Sequence, residues 1–213
     1  MTAARASMAG NSGGGGGESF PPPFRAAVTA LSEARLRPEV RISPLPAPRR
    51  LAPYAFALEA AVTEPDDAGT ELADGRFVLL HDPEGQDSWQ GTFRVVTLGR
   101  AELEPEMAQD PLLPEVTWSW LTGALEAREA GYAEPSGTVT RSSSTFFGGL
   151  GEQDPQEVLE IRASWTPAGG EAAPDAAAHL SAWSEMLCQC AGLPPESGDG
   201  GSVVQLPQRR GPQ

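Results

Sequence analysis

Between residues 40 and 98 apolar side chains recur at every second position in four separate runs, and a chain patterned in this way must bury one face of a β-sheet. Val40 and Ile42 alternate with Glu39, Arg41 and Ser43. Tyr54, Phe56, Leu58, Ala60 and Val62 share one face of the second run. Asp74-Gly75 introduces Phe77, Val78, Leu79 and Leu80, and Asp82-Pro83-Glu84-Gly85 has the proline of a turn before Phe93, Val95, Val96 and Leu98 return. Two more strand patterns follow at 137–147 and 158–165, the second alternating Leu159, Ile161, Ala163 and Trp165 against Glu160, Arg162 and Ser164.

Helical periodicity frames these runs. Phe24, Ala27, Val28 and Leu31 follow Pro21-Pro22-Pro23 and predict a short helix to about Arg35. Residues 112–129 confine their polar positions to one narrow sector, so this helix is expected to be buried on two sides, within the core or against a partner. A last helix begins near Pro174-Asp175, carries Leu180, Trp183, Leu187 and Ala191, and stops at Gly192 before Pro194. The order α-ββββ-α-ββ-α predicts an α+β domain with an antiparallel sheet of about six strands and three helices. That domain is expected over 20–195. A glycine-rich tail at 1–19 and a polar tail at 196–213 have little to bury and are expected to be disordered.

Charge narrows the partners. The 213 residues carry 15 basic and 29 acidic groups, 15 − 29 = −14, and every basic residue is arginine. The missing lysine removes Schiff-base and phosphate-loop lysine chemistry, and the negative field disfavours nucleic acid and anionic membranes. With no apolar run of membrane-spanning length and no signal-like N-terminus, a cytoplasmic location is expected. Cys188 and Cys190 fall two apart on a helix, pointing about 200° away from each other, and are expected to remain reduced. Residues 24–52 reverse the overall sign. Arg25, Arg35, Arg37, Arg41, Arg49 and Arg50 face only Glu33 and Glu39, a local +4 that could dock an acidic partner.

Few residues suggest chemistry. Glu102, Glu104, Glu106, Asp110 and Glu115 form an acidic stretch; the first four are weak candidates for Mg²⁺ or Ca²⁺, but their spacing matches no calcium loop and a solvated loop explains them better. His81 beside Asp82, with Ser142, Ser143 and Ser144 on another strand, lacks the strand-turn-helix elbow of a serine hydrolase. His179, Met186 and Cys190 share a flank of the last helix, but His179 and Cys190 are about 16 Å apart along it, too far to share one ion. Gly148, Gly149 and Gly151 precede a strand and read as a hairpin connection, not a phosphate cradle. Trp89, Trp118, Trp120 and Trp165 read as core in the main. No cofactor and no catalytic residue is implied.

The segments GRFVLLHDP (75–83), GTFRVV (91–96), AELEPEM (101–107), DPLLPEVTWSWL (110–121), SGTVTR (136–141) and LEIRASWTP (159–167) closely resemble the actinobacterial family of unknown function DUF3000 over about residues 24–195. The resemblance implies an actinobacterial, cytoplasmic origin, which fits a composition rich in Ala, Gly, Pro and Arg, and it supplies no catalytic residue. It also implies a gene neighbourhood with ribonuclease D and a haem-synthesis decarboxylase, hence an accessory role in RNA processing or haem synthesis. The order of elements is similar to that of the small acidic type III secretion chaperones and YbjN-like proteins, which dimerise. The expected function is a non-catalytic adaptor or chaperone-like module that binds a protein or its own copy through Trp118, Trp120 and Leu121 and the arginines Arg37, Arg41, Arg49 and Arg50. The alternative is a ligand- or Mg-binding enzyme built on residues 102–115.

Overall fold

A computed structural model describes residues 20–64, 69–170 and 172–195; both predicted tails lie outside these residues. Six strands form one antiparallel sheet, β1 (Val40–Leu45), β2 (Tyr54–Thr63), β3 (Glu71–Gln86), β4 (Gly91–Glu102), β5 (Tyr132–Ser144) and β6 (Gln156–Pro167), in the spatial order β1-β2-β3-β4-β6-β5. Helices α1 (Pro22–Glu33), α3 (Leu113–Ala127) and α4 (Ala176–Cys190) match the three expected, and a single turn, α2 (Pro105–Ala108), lies within the acidic stretch. The domain is therefore α+β, as its alternating pattern implied.

The swap of β5 and β6 follows from the path of the chain. β4 ends at Glu102, and α3 carries the chain back to the end of the sheet where β4 began. β5 then runs in the same sense as β4, so β6 takes the slot between them and pairs antiparallel with both. One turn differs from the sequence expectation. Residues 82–85 do not reverse the chain, because Asp82 Oδ1 accepts the Glu84 amide at 3.1 Å and Gly85 adopts φ 73°, which makes a break in register between His81 and Gln86. The reversal comes later, at 87–90, and β3 and β4 are longer than expected.

Helix α4 is the centre of the core, with twelve of its 15 residues buried. Asp175 caps its start by accepting the Ala178 amide at 3.0 Å. Its end is closed by Gly192 at φ 77°, with Leu193 N–H donating to Cys188 O and Gly192 N–H to Gln189 O, both at 3.0 Å. Two paired glycines let this helix settle close to the sheet. A Cβ on Gly75 would lie 2.6 Å from Leu98 O and 2.6 Å from the Trp183 ring, and one on its cross-strand partner Gly99 would lie 3.1 Å from Leu187. α1 and α3 flank α4, α1 burying Phe24, Ala27 and Leu31, and α3 burying Leu113, Thr117, Leu121, Ala124 and Leu125.

These contacts separate two kinds of glycine. Replacing Gly75 by alanine forces a Cβ against an immovable backbone carbonyl and is expected to destabilise the fold by ~1–3 kcal/mol. Gly123 is exposed within α3, and a Cβ added there would meet nothing within 4 Å, so the same change should gain ~0.5–1 kcal/mol. Urea unfolding of the two variants checks both signs.

Candidate functional site

All three long helices pack on one face of the sheet. Trp183, Leu187 and Met186 of α4 meet Gly75 and Gly99, Trp118 of α3 meets Gly137, and Trp165 bonds to His179 of α4. The side chains on the opposite face are left without a helical cover. Strand register arranges this open face in rows. Leu45, Ala57, Val78 and Val96 lie side by side across four strands, and the row continues into Ser164 and Ser136. The next row holds Ser43, Glu59, Arg76, Leu98, Arg162 and Thr138, and the one after it Arg41, Ala61, Asp74, Arg100, Glu160 and Thr140.

The aliphatic stripe is thus bordered by charge on one side, while the row Ala55, Leu80 and Arg94 lies on the other. Within the charged rows Arg41, Arg76, Arg100 and Arg162 meet Glu59, Asp74 and Glu160, so 4 − 3 leaves a slight positive balance on a chain of net −14. Glu160 is gripped from two sides, by Arg162 Nε at 2.7 Å and Arg100 Nη2 at 2.7 Å. The hydrogen bonds from Arg162 and then Arg100 hold its carboxyl below the usual range. Both arginines are half exposed or more, so the pair organises the surface and adds little stability.

At one end of the face a groove of about 470 Å³ opens between β3, β4, β6 and β5, lined among others by Glu71, Asp74, Arg100, Glu102 and Glu160. Of the acidic candidates in the sequence, only Glu102 reaches it. Glu104 and Glu106 are exposed on and before α2, and Asp110 Oδ1 is occupied at 2.8 Å by the Leu112 amide. Among the described residues no three His, Cys, Asp or Glu side chains are grouped to hold a metal ion.

The ionisable groups inside the molecule serve its architecture. His179 is buried and accepts the Trp165 indole N–H on Nδ1 at 3.1 Å, so its proton resides on Nε2; its place in the sequence suggests only a boundary position. Burial pushes its pKa down to about 4, with Asp175 opposing the shift. His81 is no surface turn histidine. It stacks on Phe93 with ring centroids 4.1 Å apart, donates Nδ1–H to Thr92 O at 3.0 Å, and is likewise lowered by burial. Cys188 and Cys190 form no disulfide and both are buried, as expected of reduced cysteines; burial raises Cys190 to about 12, which leaves it a poor nucleophile.

The residues expected to bind a partner divide between core and surface. Leu121 is 1 % exposed and belongs to the core, whereas Trp118 lies half-buried against Gly137 and Trp120 is half-buried. Within the single chain α3 buries one face, and Leu112 and Val116 remain exposed. Arg37 is drawn inward, pairing with Glu39 at 3.2 Å and with Glu185 of α4 at 3.6 Å, and donating to Pro194 O at 2.7 Å. Arg41 projects from the open face on edge strand β1, and Arg49 and Arg50 are exposed in the connection from β1 to β2.

An α+β domain of this kind leaves one face of its sheet without helices. The chain belongs to the family of proteins of unknown function DUF3000, whose model matches residues 20–200. No curated protein and no solved structure matches it. No helix among the described residues is long and apolar enough to cross a membrane.

The histidines set a pH response. An unfolded chain binds a proton at His179 near pH 6.5, while the folded chain refuses it until about pH 4. The stabilisation is therefore complete above pH 6.5 and is lost as the pH falls toward 4, up to roughly 3 kcal/mol for this one group. His81 acts in the same direction. Chemical denaturation from pH 7 to 4 should show stability falling with acid, and His179→Gln should flatten that slope by close to one proton.

Proposed function

We propose that the chain is a non-catalytic protein-binding module that docks through the open face of its sheet, with a second copy of the same chain as the occupant. The observation that carries this reading is the stripe of half-buried Leu45, Val78 and Val96 with the buried Ala57 between them, bordered on one side by four arginines and three carboxylates. Two copies of net charge −14 repel each other over most of their surfaces. The open face is where that repulsion is smallest, because its charges nearly cancel and both signs are present to pair across a two-fold axis. Apolar side chains next to polar and charged ones are also found together in protein interfaces. The exposed Leu112 and Val116 at the start of α3 are flanked by Glu115 and by the acids of residues 102–110, and would bring like charges together.

Sedimentation velocity tests the assignment directly. The chain should show reversible self-association, and Val96→Glu or Arg162→Glu should weaken it at least ~10-fold, equivalent to about 1.4 kcal/mol. A monomer at concentrations up to about 100 µM removes the second copy as occupant. Association that survives Val96→Glu but is abolished by Trp120→Glu assigns docking to α3 instead.

A further inference from the structure

Among the described residues Arg37 is half-buried and Arg94 is buried, and they are treated differently. Arg37 has Glu39 and Glu185 as partners. Arg94, on β4 beside the aliphatic stripe and 7 % exposed, has no carboxylate partner among the described residues: its guanidinium is surrounded by hydroxyls alone. Nη1 donates to Thr166 Oγ1 at 3.0 Å, and Nη2 donates to Ser164 Oγ at 2.8 Å and to Ser136 Oγ at 3.2 Å. Burial lowers the Arg94 pKa, with the charge of Glu134 opposing the shift. A cation held out of water with no carboxylate in contact is costly, and hydroxyl dipoles offset only part of that cost.

The hydroxyl protons show what is missing. Thr166 donates its proton to Trp89 O. Ser136 and Ser164 lie 3.2 Å apart, and one proton is shared between their oxygens. Each of these oxygens already accepts from Arg94, so the remaining serine O–H is a donor with no acceptor among the described residues. The serine pair is reachable, because Ser136 is exposed beside the β5 irregularity at 133–136, where Glu134 takes φ 50°. A positive charge, an available O–H and an opening to solvent together make a receptor for an oxyanion. A monoanion suits it better than a dianion, since the net charge of −14 repels the second negative charge.

We infer that Arg94, Ser136 and Ser164 form a carboxylate-binding subsite on the open face of the sheet. The bound carboxylate accepts the free serine O–H and compensates the guanidinium charge behind it. The subsite stands independently of self-association, because a small carboxylate can fill it on a lone chain.

A two-dimensional NMR titration of the dilute full chain with sodium acetate, at ionic strength held constant by sodium chloride, tests the inference. The amide resonances of Ser136, Ser164 and Thr166 should shift saturably with millimolar affinity, and sodium phosphate should bind more weakly. Ser136→Ala changes an exposed edge residue, leaves the fold intact, and should weaken acetate binding ~5- to 10-fold. Arg94→Gln should abolish it. If Arg94→Gln fails to fold, the Ser136→Ala comparison still decides. Absence of a saturable shift in the folded wild-type chain overturns the inference, as does acetate binding that is unchanged in Ser136→Ala. Phosphate binding more tightly than acetate would overturn the choice of a carboxylate.

Discussion

The seating of α4 on the sheet is the contact on which the rest of the molecule depends. Gly75 and Gly99, paired across β3 and β4, remove two side chains where Trp183, Met186 and Leu187 approach. That close approach lets a single helix touch β2, β3, β4 and β6 together and leaves room on its flanks for α1 and α3. The ion pairs around Glu185 belong to the same arrangement. Arg37, beyond α1, and Arg128, at the end of α3, both reach this α4 carboxylate at 3.6 Å, so the two flanking helices are registered against the central one. Such buried charge contributes more to the choice of one packing than to stability.

Concentrating all three long helices on one face has a counterpart on the other. Side chains there alternate out of the sheet without a helix over them, and at one end the 87–90 turn reaches them, Trp89 O accepting from Thr166. Natural sheets tolerate such a face when it is polar enough to remain hydrated. Here charged rows lie on one side of the aliphatic row and keep that part of the surface hydrated, while Ala55 and Leu80 extend the apolar part on the other side. The protected ends of the sheet are consistent with that design. Pro44 removes an amide donor from β1, and Pro135 with the irregularity at 133–136 disrupts β5, so neither edge is an easy template for further strands.

Much of this is legible in the chain itself because period-two alternation survives in any half-buried strand. β2 and β6 announce their inner faces through Phe56, Leu58 and Ala60 and through Leu159, Ile161 and Ala163. Local chemistry misleads where a tertiary or side-chain bond decides the outcome. The Asp82-Pro83-Glu84-Gly85 sequence has the residues of a reversal, but an aspartate-to-amide bond turns it into an irregular stretch of strand. His179 carries no sequence mark of burial, since its partner Trp165 is on another element. Arg94 is invisible for the same reason: between Phe93 and Val95 it reads as an ordinary outward residue, and only the register with β6 and β5 gathers its three hydroxyls.

The exchange of β5 and β6 in the sheet bears on how the molecule comes together. β4 must find β6 across roughly the same sequence gap that separates Arg94 from Ser164, 70 residues, before β5 has any strand to pair with. Loop closure of that length is slow compared with the hairpin of β3 and β4. The N-terminal four strands can therefore form a meander early, while β5, although made before β6, waits on it. Ser136 belongs to a strand whose one neighbour is β6, so the cradle around Arg94 is complete only once β6 is in place.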